Sequence, residues 1–309
     1  MRRVGGRLLQ LVPTTVGALV LVFFLMRVLP GDPAGAMLGT SATPQAIADL
    51  RAQLGLDKPL YEQFVDYVVG LGHLDFGRSM AVRTPVGTLL YQAALPTLLL
   101  TLSGTLVSVV VGVPLGVVAA LRRGTWVDYG ASIGALLGLS IPVFVWGVLL
   151  LLAFTLQWPV LPSAGAGDTP VNVVRSLILP SIATGFFQVG LIARITRSSL
   201  LSVLNNDYVR TARAKGVGPS AVVLGHALRN ALIPVITVIG LNAGTLLGGA
   251  VVAETVFTRP GLGRLILDAI FARDYPVIQG VMIVSVVLVV MLNLMTDLLY
   301  TAADPRVRA

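Results

Sequence analysis

Long apolar runs recur along the chain, and inside a bilayer such a run has one stable conformation. With no water present, its amides and carbonyls must pair within the segment, so each run is expected to be an α-helix. The runs fall at residues 8–29, 95–121, 129–157, 176–193, 231–256 and 277–300. At 1.5 Å per residue the first is roughly 30 Å long, about the thickness of the hydrocarbon core. Charged residues make up 12 % of the chain, half the roughly 25 % of soluble domains. The expected fold class is therefore all-α and integral to a membrane, with residues 1–309 forming one membrane domain.

Arg2, Arg3 and Arg7 precede the first run in the manner of a signal peptide. The run is longer than the about 7–15 residues of a signal core, and no small-x-small cleavage site follows, so it reads as a retained span. Leu29-Pro30-Gly31-Asp32-Pro33 stops it, because prolines and glycine cannot continue the helix. Residues 30–94 are mixed, with Thr43-Pro44 and Thr84-Pro85 reading as helix starts. Leu60, Phe64, Tyr67, Val68 and Leu71 recur at helical spacing, which suggests an amphipathic helix lying on the membrane or on other loops. The segment is too short for a large core of its own. It is read as a cap on one face.

Six spans put both ends of the chain on one side, and charge decides which side. The termini with loops 122–128 and 194–230 carry 13 basic and 4 acidic residues, whereas the opposite side carries 9 and 10. Basic loops stay in the cytoplasm, so the termini and the 205–230 loop are placed there and the 30–94 cap outside. The net charge of +8 lies between spans and implies topology, not nucleic acid. The chain has no cysteine, which excludes a disulfide framework and thiol chemistry.

Glycines recur at four-residue spacing: Gly112/Gly116, Gly130/Gly134/Gly138 and Gly240/Gly244/Gly248. Small residues let helix backbones approach, so tight packing within the subunit is one reading. For the fifth run a second reading makes Asn242, Gly244 and Gly248 a smooth wall facing a partner subunit or a solute pathway. Pro114, Pro142 and Pro180 lie within runs and are expected to kink them.

One long polar interruption breaks the second half of the chain: Asn205–Pro234, NNDYVRTARAKGVGPSAVVLGHALRNALIP. Asp207 is placed to cap a short helix over Tyr208–Lys215, and Gly216 sits where a helix-ending left-handed residue is wanted. Gly218-Pro219 restarts the chain, and a second helix is expected to run to about Arg229. Val209 and Ala212 share one side of the first helix, while Arg210, Arg213 and Lys215 carry its charge. Ala221, Val222, Leu224, Leu228 and the body of His226 give the second a broad apolar surface. Such an elbow suits docking to something outside the membrane; the alternative is a charged loop that only sets topology.

This loop resembles that of binding-protein-dependent ABC transporter permeases, patterned Glu-Ala-Ala, three residues, Gly, nine residues, then Ile-x-Leu-Pro. Here the glutamate falls on Arg210, the alanines on Thr211 and Ala212, and the glycine on Gly216. The distal part falls on His226, Ala227, Leu228 and Arg229. The glutamate and proline are both replaced, and that departure resembles the family's peptide/nickel branch. Glu254–Gly263, Arg273-Asp274-Tyr275-Pro276 and Leu29–Pro33 resemble the same branch. The resemblance implies the six-span type I importer permease fold, with coupling helices between spans 4 and 5 seated in a cleft of an ATP-hydrolysing subunit. It also implies a second homologous permease, two ATP-binding cassette subunits and an extracytoplasmic solute-binding protein, in a bacterial or archaeal cytoplasmic membrane. The expected coupling residues are Asp207, Tyr208, Arg210, Thr211, Ala212, Arg213, Ala214, Lys215, Gly216, His226 and Arg229. Arg259, Pro260, Gly261, Gly263, Arg264 and Asp274 are expected at an outer gate or binding-protein contact, a solvated loop being the simpler reading of each.

The chemistry the chain lacks points the same way. The only lysines are Lys58 and Lys215, and neither follows glycine, so no phosphate-binding P-loop exists and no nucleotide cofactor is expected. The centres of the runs hold no Asp, Glu, Arg or His, which disfavours an ion-coupled carrier. Gly130-Ala131-Ser132-Ile133-Gly134 matches the G-x-S-x-G string of hydrolases, but Ser132 opens an apolar helix with no histidine nearby in sequence. With two histidines in the chain, no metal site is expected. The expected function is a non-catalytic permease subunit of an ATP-driven importer for di- or oligopeptides. Nickel or another small solute is the alternative within the family, and a passive channel or self-contained carrier the alternative outside it.

Overall fold

A computed structural model of the chain describes residues 13, 15–17, 19–24, 34–35, 43–53 and 55–303. Among the described residues the regular structure is helical, apart from one antiparallel bridge between Arg78 and Pro85. Val86–Leu121, Pro170–Leu204, Pro219–Gly240 and Tyr275–Thr296 are each long and apolar enough to cross a membrane. Trp126–Ser140 and Val143–Gln157 form a further apolar pair bent by 102° at the break between them, the geometry of a broken span or a re-entrant loop. Shorter apolar helices lie at Thr15–Phe24 and Gly244–Val256. The expected first span, 8–29, falls largely outside the described residues.

The helices outrun the apolar segments that predict them. Val86–Leu121 starts before residue 95, and Pro170–Leu204 brackets 176–193. The second begins where Thr169 accepts a hydrogen bond from the Asn172 amide (3.3 Å) with proline in the first turn. Polar turns beyond the hydrocarbon boundary lose nothing by staying helical, so hydropathy under-reads helix length. Thr84 departs from its expected capping role: its hydroxyl donates to the Val82 carbonyl at 3.4 Å, and the helix starts at Val86. Pro142 stands at the 102° bend, where Ile141 leaves helical geometry (φ −88°, ψ 122°). The residue before a proline disfavours the α region, which accounts for the break.

The chain divides into two compact units. The first comprises residues 1–96 and 260–290. Its core gathers Val86, Leu90, Leu262, Ala269, Val277 and Val281, with Gly280 leaving room for Val86 and Leu90. The amphipathic helix forms as Leu60–Gly72, and Phe64 packs edge-on against Phe23 at 5.1 Å between ring centroids.

The second unit comprises residues 97–259 and 291–309, and its central member is Pro170–Leu204. Neighbouring backbones close on it at glycines. A Cβ on Gly116 would lie 2.5 Å from the Ala193 carbonyl oxygen, one on Gly138 2.8 Å from that of Phe186, and one on Gly190 2.1 Å from that of Ala135. Gly240 fits against the Thr296 side chain, whereas Gly130, Gly134 and Gly248 meet nothing within 4 Å among the described residues. The repeated spacing therefore serves packing at some positions only. Ser103 and Ser181 add a hydroxyl–hydroxyl bond of 2.6 Å between helices. Leu100, Leu179, Ala183, Ala250, Ala253 and Phe257 fill one core cluster, and Ala120, Leu200, Ala227 and Ala231 another.

Gly190→Val is expected to wedge 126–140 from 170–204 and cost about 1–3 kcal/mol. Gly134→Ala, in open space, is expected to change stability by no more than about 1 kcal/mol, in the stabilising direction. Thermal unfolding of the purified protein, read side by side, checks the contrast.

Candidate functional site

The polar interruption between Pro170–Leu204 and the next crossing folds as a helix, a glycine turn and a second helix. Asp207–Ala214 is the first helix. Asn206, not Asp207, occupies its N-cap, and the Asn206 carbonyl accepts from the Val209 and Arg210 amides (3.0 and 3.2 Å). Asp207 is the first helical residue, exposed and 3.9 Å from Arg210, where its charge suits the helix N-terminus. The C-terminus closes as a Schellman motif. The Gly216 amide donates to the Arg213 carbonyl (2.9 Å) and the Val217 amide to that of Ala212 (3.2 Å). Gly216 takes φ +80°, the left-handed conformation expected, in open space, so backbone conformation and not crowding demands glycine there.

Pro219 restarts the helix, which then departs from expectation by not stopping near Arg229. Pro219–Ala221 leads into a π-helical stretch, Val222–Ala227, and on into Leu228–Leu241 without interruption. No glycine stands just after Arg229 to end it, and Pro234, five residues on, is absorbed within the helix. The second limb of the elbow and the following crossing are thus one rod.

The elbow presents two faces. Val209 is fully buried, Val222, Ala227 and Ala231 are buried, and Ala212 is half-buried. Tyr208, Arg210, Thr211, Arg213, Ala214, Lys215, Gly216, Leu224 and Arg229 are exposed. Leu224 is an apolar side chain left 65 % exposed. Asn230 donates to the Tyr208 hydroxyl at 2.9 Å and pins the first helix to the second. His226 lies in the π-helical stretch.

Along the fifth run Asn242 interrupts the helix between Leu241 and Ala243. Its side-chain amide donates to the Val238 carbonyl (2.9 Å), and the buried Gln188 amide reaches its backbone carbonyl at 3.4 Å. Gly244 is half-buried and Gly248 exposed. Hydropathy overlooks what shares that face: Thr237, Thr245, Val252 and Thr255 are exposed at helical spacing with Gly248. Each threonine hydroxyl donates to a backbone carbonyl three or four residues earlier (3.2, 2.7 and 2.8 Å). The stripe is smooth and weakly polar.

The expected outer residues are more internal than a solvated loop. Arg259, only 2 % exposed, donates through Nη1 to the Gly165 carbonyl (3.0 Å) and the Ser176 hydroxyl (2.8 Å). Burial pushes its guanidinium down from the ordinary arginine range, and the charge of Glu254 opposes that shift. Glu254 is itself buried and accepts from the Thr97 hydroxyl at 2.5 Å. In the first unit, buried Asp274 accepts from the Ser79 hydroxyl and from the Ala81 amide (3.1 Å), fastening the 79–84 turn. Gly261 and Gly263 are buried, Pro260 is exposed, and Arg264 lies 3.8 Å from Asp268. Sequence treats Arg259 and Asp274 as solvated because their partners are far away along the chain.

Several helices long and apolar enough to cross a membrane, with an exposed, basic helical elbow between two of them, define an integral membrane protein. The model of the binding-protein-dependent transport system inner membrane component matches residues 112–309, and that of its N-terminal part matches residues 1–88. The chain is 42 % identical to the di/tripeptide transport system permease protein DppB of Pseudomonas aeruginosa (strain UCBPP-PA14), over 99 % of this chain and 98 % of that one. It is 40 % identical to the dipeptide transport system permease protein DppB of Escherichia coli (strain K12), over 100 % of this chain and 98 % of that one. An inward-facing structure of the MetNI methionine ABC transporter shares the fold, at a TM-score of 0.58 and 21 % identity over 70 % of this chain and 96 % of that one. The chain belongs to the family of binding-protein-dependent ABC transporter permeases, integral to the inner membrane, whose systems pair such a component with ATP-binding subunits and a binding protein.

Arg259→Met strips a charged donor from both Gly165 and Ser176 and is expected to cost about 1.5–3 kcal/mol. Asp207→Asn, at an exposed carboxylate, is expected to stay within about 0.5 kcal/mol. Thermal unfolding of the two variants separates them.

Proposed function

We propose that this chain is the permease subunit of an ATP-driven importer of di- and oligopeptides, working with a second homologous permease, two ATP-binding cassette subunits and an extracytoplasmic binding protein. Full-length similarity to di- and tripeptide permeases supports the cargo class. The observation that carries the mechanism is the continuity of the exposed elbow with the crossing behind it. In this reading the chain crosses six times as one permease domain, with its termini and the 205–230 loop in the cytoplasm and residues 30–94 as the outer cap. The basic side of the chain supports that orientation.

Hydrolysis belongs to the partner subunits, because this chain has no sequence able to cradle a nucleotide. The exposed face of 207–216, with Tyr208, Arg210, Arg213 and Lys215 around a glycine turn, docks in a cleft of the ATPase. Val209 and Val222, buried beneath it, keep the elbow attached to its own subunit. When nucleotide closes the ATPase pair, the elbow moves and the 219–241 rod carries the displacement into the membrane. The smooth face of Thr237, Thr245, Gly248 and Thr255 then lies toward the pathway or the second permease, which lets the gap change with little friction. Arg259 and Asp274 hold the outer turns in shape, leaving the exposed residues around them to meet the binding protein.

Gly216→Val forces a β-branched residue into the left-handed region, about 1–2 kcal/mol of strain. Uptake of a labelled dipeptide, and the amount of ATPase co-purifying with the permease, are both expected to fall at least about five-fold. Gly216→Asn should retain most of both, since asparagine tolerates that conformation. Ala212→Asp should lower both, by setting a carboxylate beneath the docking face. Full uptake by Gly216→Val and Ala212→Asp contradicts the coupling role.

A further inference from the structure

The second unit contains a cavity that the transport reading does not use. It has a volume of about 270 Å³ and lies among the Val86–Leu121, Trp126–Ser140 and Pro170–Leu204 helices. Its apolar walls include Leu115, Leu136 and Leu139, and small residues such as Ala131 and Ala193 leave the space. Along the paired helices it falls between the Gly190–Ala135 contact and the ion pair of Arg197 with Asp128 (2.6 and 2.7 Å).

Two polar groups line it without a partner among the described residues: the Arg194 guanidinium and the Ser132 hydroxyl. Arg197 also lines it, but Asp128 already satisfies its charge. Arg122 and Arg123, on the turn joining two of the helices, add positive charge nearby, although Arg123 also acts on the Asp128 carboxylate. Beside the cavity Tyr129, Ile133 and Leu136 stand exposed, as hydrocarbon-facing side chains do.

We propose that this cavity binds a single anionic phospholipid from the leaflet on the side of the 122–125 turn. One acyl chain lies between Leu115, Leu136 and Leu139, and the phosphate meets the Arg194 fork and the Ser132 hydroxyl. An arginine fork suits phosphate oxygens, and basic pockets between membrane helices favour anionic head groups. The volume, just under the about 300–1,000 Å³ of small-molecule sites, suits one chain and not a whole lipid. It also gives the unused G-x-S-x-G stretch a role, as a helix face that makes room for lipid. The inference rests on the membrane-crossing reading of these helices and on nothing in the transport cycle.

The test is native mass spectrometry of the detergent-purified transporter complex, incubated without nucleotide or solute. The probes are phosphatidylglycerol and phosphatidylcholine of matched chains. The intact protein is expected to retain phosphatidylglycerol about five-fold better, and Arg194→Gln to lose that preference. Ala131→Leu, which fills the cavity, is expected to lower retention of both lipids. Arg194 is exposed, so its replacement does not endanger folding. Phosphatidylglycerol with a photoreactive acyl chain should label residues 131–139 in the intact protein and not in Ala131→Leu. Equal retention of both lipids by the intact protein, or an unchanged preference in Arg194→Gln, overturns the proposal. So does a photocrosslinker at position 132 that captures the second permease in place of lipid. Because no transport is measured, loss of the importer reading would leave these outcomes interpretable.

Discussion

Close backbone contact at glycine holds the second unit together. Hydrocarbon gives helices no hydrophobic reason to associate, so van der Waals packing and a few interhelical polar bonds must do it. Pro170–Leu204 receives Val86–Leu121 at Gly116 and Trp126–Ser140 at Gly138, and opens its own Gly190 to Ala135. Bonds such as Ser103 to Ser181 and Arg197 to Asp128 are added where side chains permit. A methyl group at those glycines would collide with a carbonyl oxygen, so the packing has little tolerance.

In the proposed mechanism this close packing gives the elbow something to push against. The first short helix is tied inward by Val209 and sideways by Asn230, and it turns at a glycine whose left-handed backbone stores no strain. The second is the start of a membrane crossing and not a separate piece. A force applied at 207–216 therefore acts on the rod itself, with Ala227 and Ala231 packed against Ala120 and Leu200 as the bearing.

Much of this was legible in sequence wherever a rule is local. The apolar runs 95–121, 176–193 and 277–300 mark helices long enough to cross a membrane, Gly216 marks a left-handed stop, and Pro142 marks a break. The amphipathic spacing of Phe64 and Tyr67 marks the helix that packs on Phe23. Helix length was less legible, because Pro170–Leu204 continues through polar turns that hydropathy cannot see. The cap at Asn206 was missed by one residue, since neighbouring asparagine and aspartate both suit that position. Burial of the outer charges was not legible at all. Asp274 meets Ser79 across 195 residues, and Arg259 meets Gly165 across 94. A charge reads as solvated until the fold brings such a partner to it. The void beside Ser132 likewise depends on three helices meeting, and no single run records it.

The central claim is that a gate without its own energy source is driven by a nucleotide-hydrolysing partner through the 207–241 elbow and rod. Dipeptide accumulation in proteoliposomes holding the permeases and the binding protein, with and without the ATPase subunits and ATP, tests it most directly. Accumulation against a gradient is expected only when both ATPase and ATP are present. Accumulation by the permeases alone would contradict it.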